Sequence, residues 1–490
     1  MALPFSNTAG RTLERLRNAF IETARGAREA VGAPAPLRPD MPDDDIPRLR
    51  SRVDACLEGK GGETARRARA AELGQAYLSL SPAGRKKFLL TLAQDYGLPR
   101  DAAMARVDAW RSSKAPPRAL ANALEPPAVR LMREFVGVPQ GVKFVVDLRA
   151  ELLALGKSDT MARALSDDLR PLLGAWFDVA FLDLVRIDWR APAALLEKLV
   201  AYEAVHAIRS WRDLKNRLDS DRRCFAFFHP RMPEEPLIFV EVALVKGLAD
   251  SVQRLLDEKA PVLDAKQADT AIFYSINNCQ RGLDGISFGN FLIKRVVGLL
   301  DEELPNLKNF ATLSPIPGFT RWLGTRLPKE PALLTEEEGA ALRAASPAPL
   351  ALPAPAAAGA STAPLLPETP PQTLLRILGR RGWQRDDALC KALEPILTRL
   401  CAGYLLHEQA PRGAPRALDP VAHFHLSNGA RIERLNWRGD ISEKGLKESG
   451  ALMVNYLYDP TKIEENHEAY AGEGKRPTAS TIRRLARNWA

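Results

Sequence analysis

Reactive side chains are sparse in this 490-residue sequence, and two of them sit where the chain is stiff or turning. Ser314 closes the apolar run "FATLS" (310–314) and is followed at once by Pro-Ile-Pro-Gly. A proline pushes the residue before it toward extended geometry, so Pro315 largely sets the direction of the Ser314 hydroxyl. Two uses fit that mount: a strand-ending serine that satisfies local backbone groups, or a hydroxyl aimed at a substrate. Of the six histidines, His423 and His425 stand at i, i+2 in "HFHLSNGARIERLNW" (423–437). That stretch reads as strand, Asn428-Gly429 turn, strand, which puts both rings on one face. A metal would want a third ligand, and neither a cluster nor an HExxH motif supplies one, so no metal is expected. A single catalytic histidine beside the turn is the stronger functional reading, and strand histidines satisfied by hydrogen bonds are the plain one. His206 falls within an amphipathic helix pattern, where packing is its expected role, and His229 ends a strand.

A second feature is the junction "TAIFYSINNCQRGLDGISFGN" (270–290). A buried strand runs into a loop carrying Gly282, Gly285 and Gly289, and a helix pattern follows immediately. Glycines let backbone approach a ligand, and a helix start offers free N–H groups, so the junction can cradle a pyrophosphate. It matches neither GxGxxG nor the Walker loop. "QRGLDG" resembles a loose variant of the glycine loop with which acetyltransferase-type folds hold the pyrophosphate of coenzyme A. A plain glycine-rich strand-to-helix turn is the competing reading.

The elements that must position these groups divide the chain. Residues 1–172 carry apolar positions at three- and four-residue spacing and read as a helical bundle for assembly rather than catalysis. From about 190 the pattern changes. A long amphipathic helix is expected over 193–218, strands over 224–230, 236–245, 270–276, 310–314 and 450–458, and helices over 247–258, 288–304 and 373–405. Strands alternating with helices predict an α/β layer architecture for the remainder of the chain, 173–490. The Ala/Pro-rich stretch 344–371 holds one charge, Glu368, and reads as a flexible insertion within that domain.

Bulk properties limit the partners. A net charge of +9 on 490 residues is a modest excess, and the basic segments 11–20 and 475–489 read as solvated helix faces. No recognised module interleaves basic and aromatic residues, so nucleic acid is not an expected partner. Five scattered cysteines without CxxC spacing suggest neither a disulfide framework nor a zinc site, and fit a reducing compartment such as the cytoplasm. No apolar run approaches a membrane span, and the first residues lack a secretory layout. The arginine-rich segment 11–29 carries three glutamates, which mitochondrial presequences avoid, so it reads as an ordinary helix.

Seven blocks occur in order: "YEAVHAI", "RRCFAFFHP", "PLIFVEVAL", "YSINNCQRGLDGISFGNFLIKRVV", "FATLSPIPGF", "HFHLSNGARIERLNW" and "LMVNYLY". Together they resemble the malonyl-CoA decarboxylase family, its bacterial members most of all. The resemblance implies an α+β multidomain protein with an N-terminal helical bundle and an acetyltransferase-like (GNAT-like) catalytic domain. It implies a homo-oligomer, a tetramer or dimer of dimers, that converts malonyl-CoA to acetyl-CoA and carbon dioxide without a cofactor. The family's Ser–His pair falls on Ser314 and His425, with Ser275 and Tyr458 as further site residues. Its coenzyme A loop falls on Asp284, Gly285, Ile286, Ser287, Phe288, Gly289 and Asn290. Animal members carry a glutamate where this chain has Ser287, so a mechanism needing a carboxylate there does not transfer. The chemistry suits the inventory, because the thioester carbonyl is itself the electron sink for decarboxylation and a histidine can return a proton. A CoA-dependent acyltransferase on the same fold is the main alternative, followed by a non-enzymatic binding protein, for instance a basic nucleic-acid binder, and by an acyl-CoA sensor that lost catalysis.

Overall fold

The structure is a computed structural model that describes residues 8–31, 36–59, 61–286, 291–346, 368–411, 416–487 and 489. The chain divides into two compact units. One comprises Met1–Leu214, Phe225–Phe239 and Ile276–Gly289, and the other Lys215–Cys224, Val240–Ser275 and Asn290–Ala490.

The first unit begins with the expected helices, which include Thr8–Val31, Glu63–Ser79, Pro82–Tyr96, Gly141–Leu155 and Thr160–Trp176. Their apolar stripes meet in an aromatic cluster where Phe144 packs on Phe135 and Phe20 at centroid distances of 4.7 and 5.1 Å. Helix starts follow local chemistry. Ser81 caps Pro82–Tyr96 by accepting from Gly84 N at 3.2 Å, and Asp159 caps Thr160–Trp176 through Ala162 N at 2.8 Å.

The single helix expected over 193–218 is two, Ala193–Tyr202 and Trp211–Arg217. Glu203 ends the first by turning its carboxylate onto Val205 N (2.8 Å) and His206 N (2.6 Å). Asn277 adds to the break, accepting from Ala204 N at 2.9 Å and donating to Glu203 at 2.7 Å. Side-chain acceptors of this kind compete with the helical ladder, so His206 lies in a loop rather than on a helix.

Eight strands form one mixed sheet: β1 (Asp183–Ile187), β2 (Arg222–His229), β3 (Met232–Val245), β4 (Thr270–Asn278), β5 (Asn309–Thr312), β6 (Ser314–Pro315), β7 (Arg431–Asn436) and β8 (Met453–Tyr458). Their order is β1-β2-β3-β4-β5-β8-β6, with β7 also on β8. β4 and β5 run parallel, while β5, β6 and β7 all pair antiparallel with β8. Phe310 faces Tyr458 and Ser314 faces Val454, so β5 and β6 share one register across a break. At the break side chains replace the ladder: Tyr456 N donates to Thr312 Oγ1 at 3.1 Å, and Asn455 Nδ2 donates to the Thr312 carbonyl at 2.7 Å. One face of this region is apolar, with Ile272, Tyr274, Ala311, Leu313 and Met453 in a single core cluster. Strand alternation therefore turns Phe273, Ser275, Thr312 and Ser314 to the other face.

Several boundaries differ from expectation. The segment containing His423 and His425 is a helix, Pro420–Ser427, not a strand, and only β7 follows the turn. Asp419 caps it through Val421 N and Ala422 N, both at 3.0 Å, and Pro420 occupies the first helical position. Gly429 ends the turn at φ +80°, where a Cβ would lie 2.1 Å from the Ile463 carbonyl. The helix expected over 247–258 is only Val252–Leu255. The helix expected over 373–405 is split into Pro370–Gly379 and Asp387–His407 around Gly382, which has φ +80°. Of the helix expected over 288–304, Phe291–Glu303 is described. Residues 347–367 of the Ala/Pro insertion lie outside the described residues, and its flanks are tied together: Arg376 binds Glu368 at 3.0 Å and the Ser346 carbonyl at 2.9 Å. No helix among the described residues is long and apolar enough to cross a membrane, and all five cysteines are buried and free.

Candidate active site

Ser314 and His425, 111 residues apart in sequence, meet in the second unit with Oγ and Nε2 at 3.0 Å. The meeting follows from two local facts. β6 ends at Pro315 with its serine on the polar face of the sheet, and the capped helix Pro420–Ser427 delivers His425 to it. On its far side His425 Nδ1 lies 2.7 Å from the Tyr458 hydroxyl. Ser314 Oγ also donates to Thr312 Oγ1 at 2.8 Å. The result is a chain, Tyr458–His425–Ser314–Thr312, in which each imidazole nitrogen faces a hydroxyl. With Ser314 donating to Thr312, the neutral ring that satisfies the chain carries its hydrogen on Nε2, donating to Ser314 Oγ and accepting from the Tyr458 hydroxyl at Nδ1.

Burial sets the electrostatics. His425 is 3% exposed, and desolvation alone pushes its pKa down to about 3. Tyr458 is 1% exposed, and burial pushes its hydroxyl well above the ordinary range. The resting site therefore holds neutral groups at neutral pH. Tyr456 stacks on His425 at 4.5 Å with 25° between the planes, which fixes the ring's orientation. Asp419 is buried as well, and burial raises its carboxyl pKa despite the N–H groups it accepts. Its Oδ2 receives the Tyr404 hydroxyl at 3.3 Å and Gly318 N at 3.4 Å, so one carboxylate touches both the His425 helix and the turn after Ser314.

Two predictions follow from these groups. Asp419→Ala strips the cap and is expected to lower the folding free energy by about 1 kcal/mol or more, read from denaturant midpoints, with Asp419→Asn recovering much of it. The second concerns pH. The unfolded chain binds a proton at His425 near its ordinary pKa of 6.5, and the folded chain only near 3. Stability is thus lost as pH falls through that window, by at most about 1.4 kcal/mol per pH unit from this group. The midpoint measured from pH 7 down to 4 is expected to fall less steeply in His425→Asn than in the wild type.

Four expected site residues thus divide plainly. Ser314, His425 and Tyr458 are brought together. Ser275, buried on β4, lies on the same face of the sheet as Ser314 by alternation, and the Phe273 ring beside it sits 6.4 Å from that of Tyr458. Asp284, Gly285 and Ile286 are described within the first unit, whereas Ser287, Phe288, Gly289 and Asn290 lie outside the described residues. His423 does not join His425: on a helix the two diverge, and His423 Nδ1 meets the Tyr470 hydroxyl at 2.9 Å. Among the described residues no cluster of three His, Cys, Asp or Glu side chains could hold a metal. Thr312, Tyr456 and Asp419 were not singled out from the sequence. The Asp-Pro pair at 419–420 is a helix-start signal that would have exposed Asp419 and the helix together.

A buried histidine, delivered by a short helix and held between two hydroxyls of a mixed sheet in an α+β chain, has the makings of an enzyme site. Comparison with known proteins makes this specific. The profile described as "Malonyl-CoA decarboxylase C-terminal domain" matches residues 180–490, and that of the N-terminal domain matches residues 98–177. The mitochondrial malonyl-CoA decarboxylase of Anser anser anser is 36% identical over 427 residues, covering 82% of this chain and 80% of the relative. Crystal structures of malonyl-CoA decarboxylases from Rhodopseudomonas palustris and Agrobacterium vitis superpose with TM-scores of 0.77 and 0.74. They are 39% and 40% identical, covering 90% and 89% of this chain and 99% of each of theirs. The chain belongs to the malonyl-CoA decarboxylase family, and so to the carboxy-lyases.

Proposed function

We propose that this chain converts malonyl-CoA to acetyl-CoA and carbon dioxide, with Ser314 and His425 at the reacting atoms. The observation that carries the reading is the buried Tyr458–His425–Ser314 chain, found in a member of this family. Decarboxylation breaks the bond between the carboxylate carbon and the α-carbon, and the electron pair moves into the thioester as an enolate. The enolate then takes one proton at the α-carbon, so each turnover consumes one proton overall.

The neutral state of resting His425 shapes how that proton arrives. Desolvation is what opposes its charge, and the substrate carboxylate brings an opposite charge to the ring. Substrate binding thus raises the pKa of His425, which takes a proton from solvent. As carbon dioxide leaves, the negative charge passes to the enolate, and His425 Nε2–H gives its proton to carbon and returns to neutral. Ser314 hydrogen-bonds the departing carboxylate or the enolate and keeps Nε2 aimed, while Tyr458 holds the opposite nitrogen. No acyl-serine intermediate is required. The family resemblance assigns the binding of coenzyme A to Asp284–Asn290. Ser275, on the same sheet face as Ser314, is assigned to the acyl group.

The remaining assignments belong to this reading: a helical oligomerisation domain over 1–172, a catalytic domain over 173–490, a homotetramer and a cytoplasmic location. The reaction run in D₂O without any acyl acceptor tests the chemistry. The expected product is acetyl-CoA carrying one deuterium in its methyl group, with one carbon dioxide per acetyl-CoA. A CoA-dependent acyltransferase would leave malonyl-CoA intact under these conditions, and that result would refute the proposal.

A further inference from the structure

Between β5 and β6 the sheet uses a side chain where a strand would use its backbone. Ala311 and Ser314 keep one register against Leu457 and Val454 of β8, which leaves Thr312 beside Tyr456. There Tyr456 N donates to Thr312 Oγ1 at 3.1 Å, while the Thr312 carbonyl accepts from Asn455 Nδ2 at 2.7 Å. Asn455 is held in turn. Its Nδ2 also donates to the Ala249 carbonyl at 2.9 Å, and its Oδ1 accepts from Asn436 Nδ2 at 2.9 Å and Arg434 Nε at 3.1 Å. Thr312 is fully buried, and a β-branched side chain is stiff about χ1. Its hydroxyl oxygen is therefore a fixed point, tied to the sheet by a backbone N–H.

Among the described residues two acceptors flank the Ser314 hydroxyl: Thr312 Oγ1 at 2.8 Å and His425 Nε2 at 3.0 Å. A hydroxyl has one hydrogen, so it donates to only one of them. Burial keeps the ring neutral at pH 7, so one of its nitrogens carries hydrogen and the other does not. Donation to Thr312 leaves a Ser314 lone pair facing Nε2, which then carries the ring hydrogen, and the Tyr458 hydroxyl donates to Nδ1 at 2.7 Å. Donation to His425 would reverse every bond in the chain and leave Nε2 bare. The heavy atoms sit alike in both cases, so the acceptor at residue 312 decides between them.

We propose that Thr312 is a positioning residue that draws the Ser314 hydrogen away from His425 and so keeps the ring hydrogen on Nε2. This rests on the reading of Ser314 and His425 as the reacting pair, and Thr312 itself touches no reacting atom. A malonyl carboxylate is a stronger, charged acceptor than a threonine hydroxyl. Ser314 therefore turns to it from Thr312 without disturbing the hydrogen on Nε2.

Valine matches threonine in shape and lacks the oxygen. In Thr312→Val the serine is left with Nε2 as its acceptor, which is expected to move the ring hydrogen to Nδ1. Nitrogen-15 NMR of protein labelled at its histidine rings reads this directly, the His425 signals being those absent from His425→Asn. At pH 7 the wild type is expected to show a protonated Nε2 and a bare Nδ1, Thr312→Val the reverse, and Thr312→Ser the wild-type pattern. Turnover of malonyl-CoA should follow, with kcat about tenfold lower in Thr312→Val, the scale of one misdirected hydrogen bond, KM little changed, and most of the loss recovered in Thr312→Ser. Valine also strips the Tyr456 N–H of its acceptor. If that prevents folding, Thr312→Cys, with a weakly accepting sulfur, takes its place and is expected to populate both tautomers. A wild-type ring protonated at Nδ1 would overturn the proposal with no variant needed. So would the wild-type tautomer persisting in the folded variant, whatever its kcat, since Thr312 would then be a structural residue only. The expected tautomers in a wild type that releases no carbon dioxide would instead overturn the reading on which the proposal rests.

Discussion

His425→Asn is expected to lower kcat for malonyl-CoA by about 10²–10⁴-fold, the range for loss of a positioned acid–base group. KM should change far less, because asparagine keeps a polar side chain near Ser314 but cannot carry a proton to carbon. The size of the effect follows from the geometry. His425 Nε2 is 3.0 Å from Ser314 Oγ, its other nitrogen is held by Tyr458 at 2.7 Å, and no second histidine shares the site because His423 turns to Tyr470. The substitution also removes a ring stacked on Tyr456. Unfolding midpoints at pH 7 therefore belong beside the kinetics, so that a misfolded variant is not read as an inactive one. A variant with native stability and kcat within a few-fold of wild type would remove His425 from the mechanism.

Ser314→Ala is the second large effect, about 10²–10³-fold in kcat, typical of losing one preorganised donor to developing charge. Alanine fits the extended backbone before Pro315, so the fold should survive. Thr312 loses one partner but keeps the Tyr456 N–H at 3.1 Å. What disappears is the hydroxyl that aims His425 and meets the substrate carboxylate. Equal losses in kcat and kcat/KM would mark an interaction made mainly in the transition state. A rise in KM alone would reduce Ser314 to a ground-state contact. Because Ser314 and His425 act as a unit, the double variant should be little slower than the worse single one.

Much of this is legible in the sequence. The serine on its proline mount, the histidine beside Asn428-Gly429 and the glycine loop after β4 all stand in the sequence, and seven ordered blocks tied them to one family. What failed was local. "HFHLS" alternates polar and apolar residues, which suits a strand, yet eight residues are too few to separate that period from a helical one, and the cap at Asp419-Pro420 decided the matter. Over 193–218 the helical period runs on unbroken, but Glu203 and Asn277 hydrogen-bond the backbone out of the helix. That contact joins residues more than seventy positions apart and leaves no local mark. Tyr456 reads as a buried strand aromatic. Only the placement of His425 gives it a role.

The central claim is that the Ser314–His425 pair drives loss of carbon dioxide from malonyl-CoA. Its most direct test is carbon dioxide release from malonyl-CoA by the purified protein with no acceptor present, the wild type beside Ser314→Ala at matched stability. Sustained release with stoichiometric acetyl-CoA is expected from the wild type, and a rate about 10²–10³-fold lower from the variant. Absence of release from folded wild-type protein, or equal rates from the two, would contradict it.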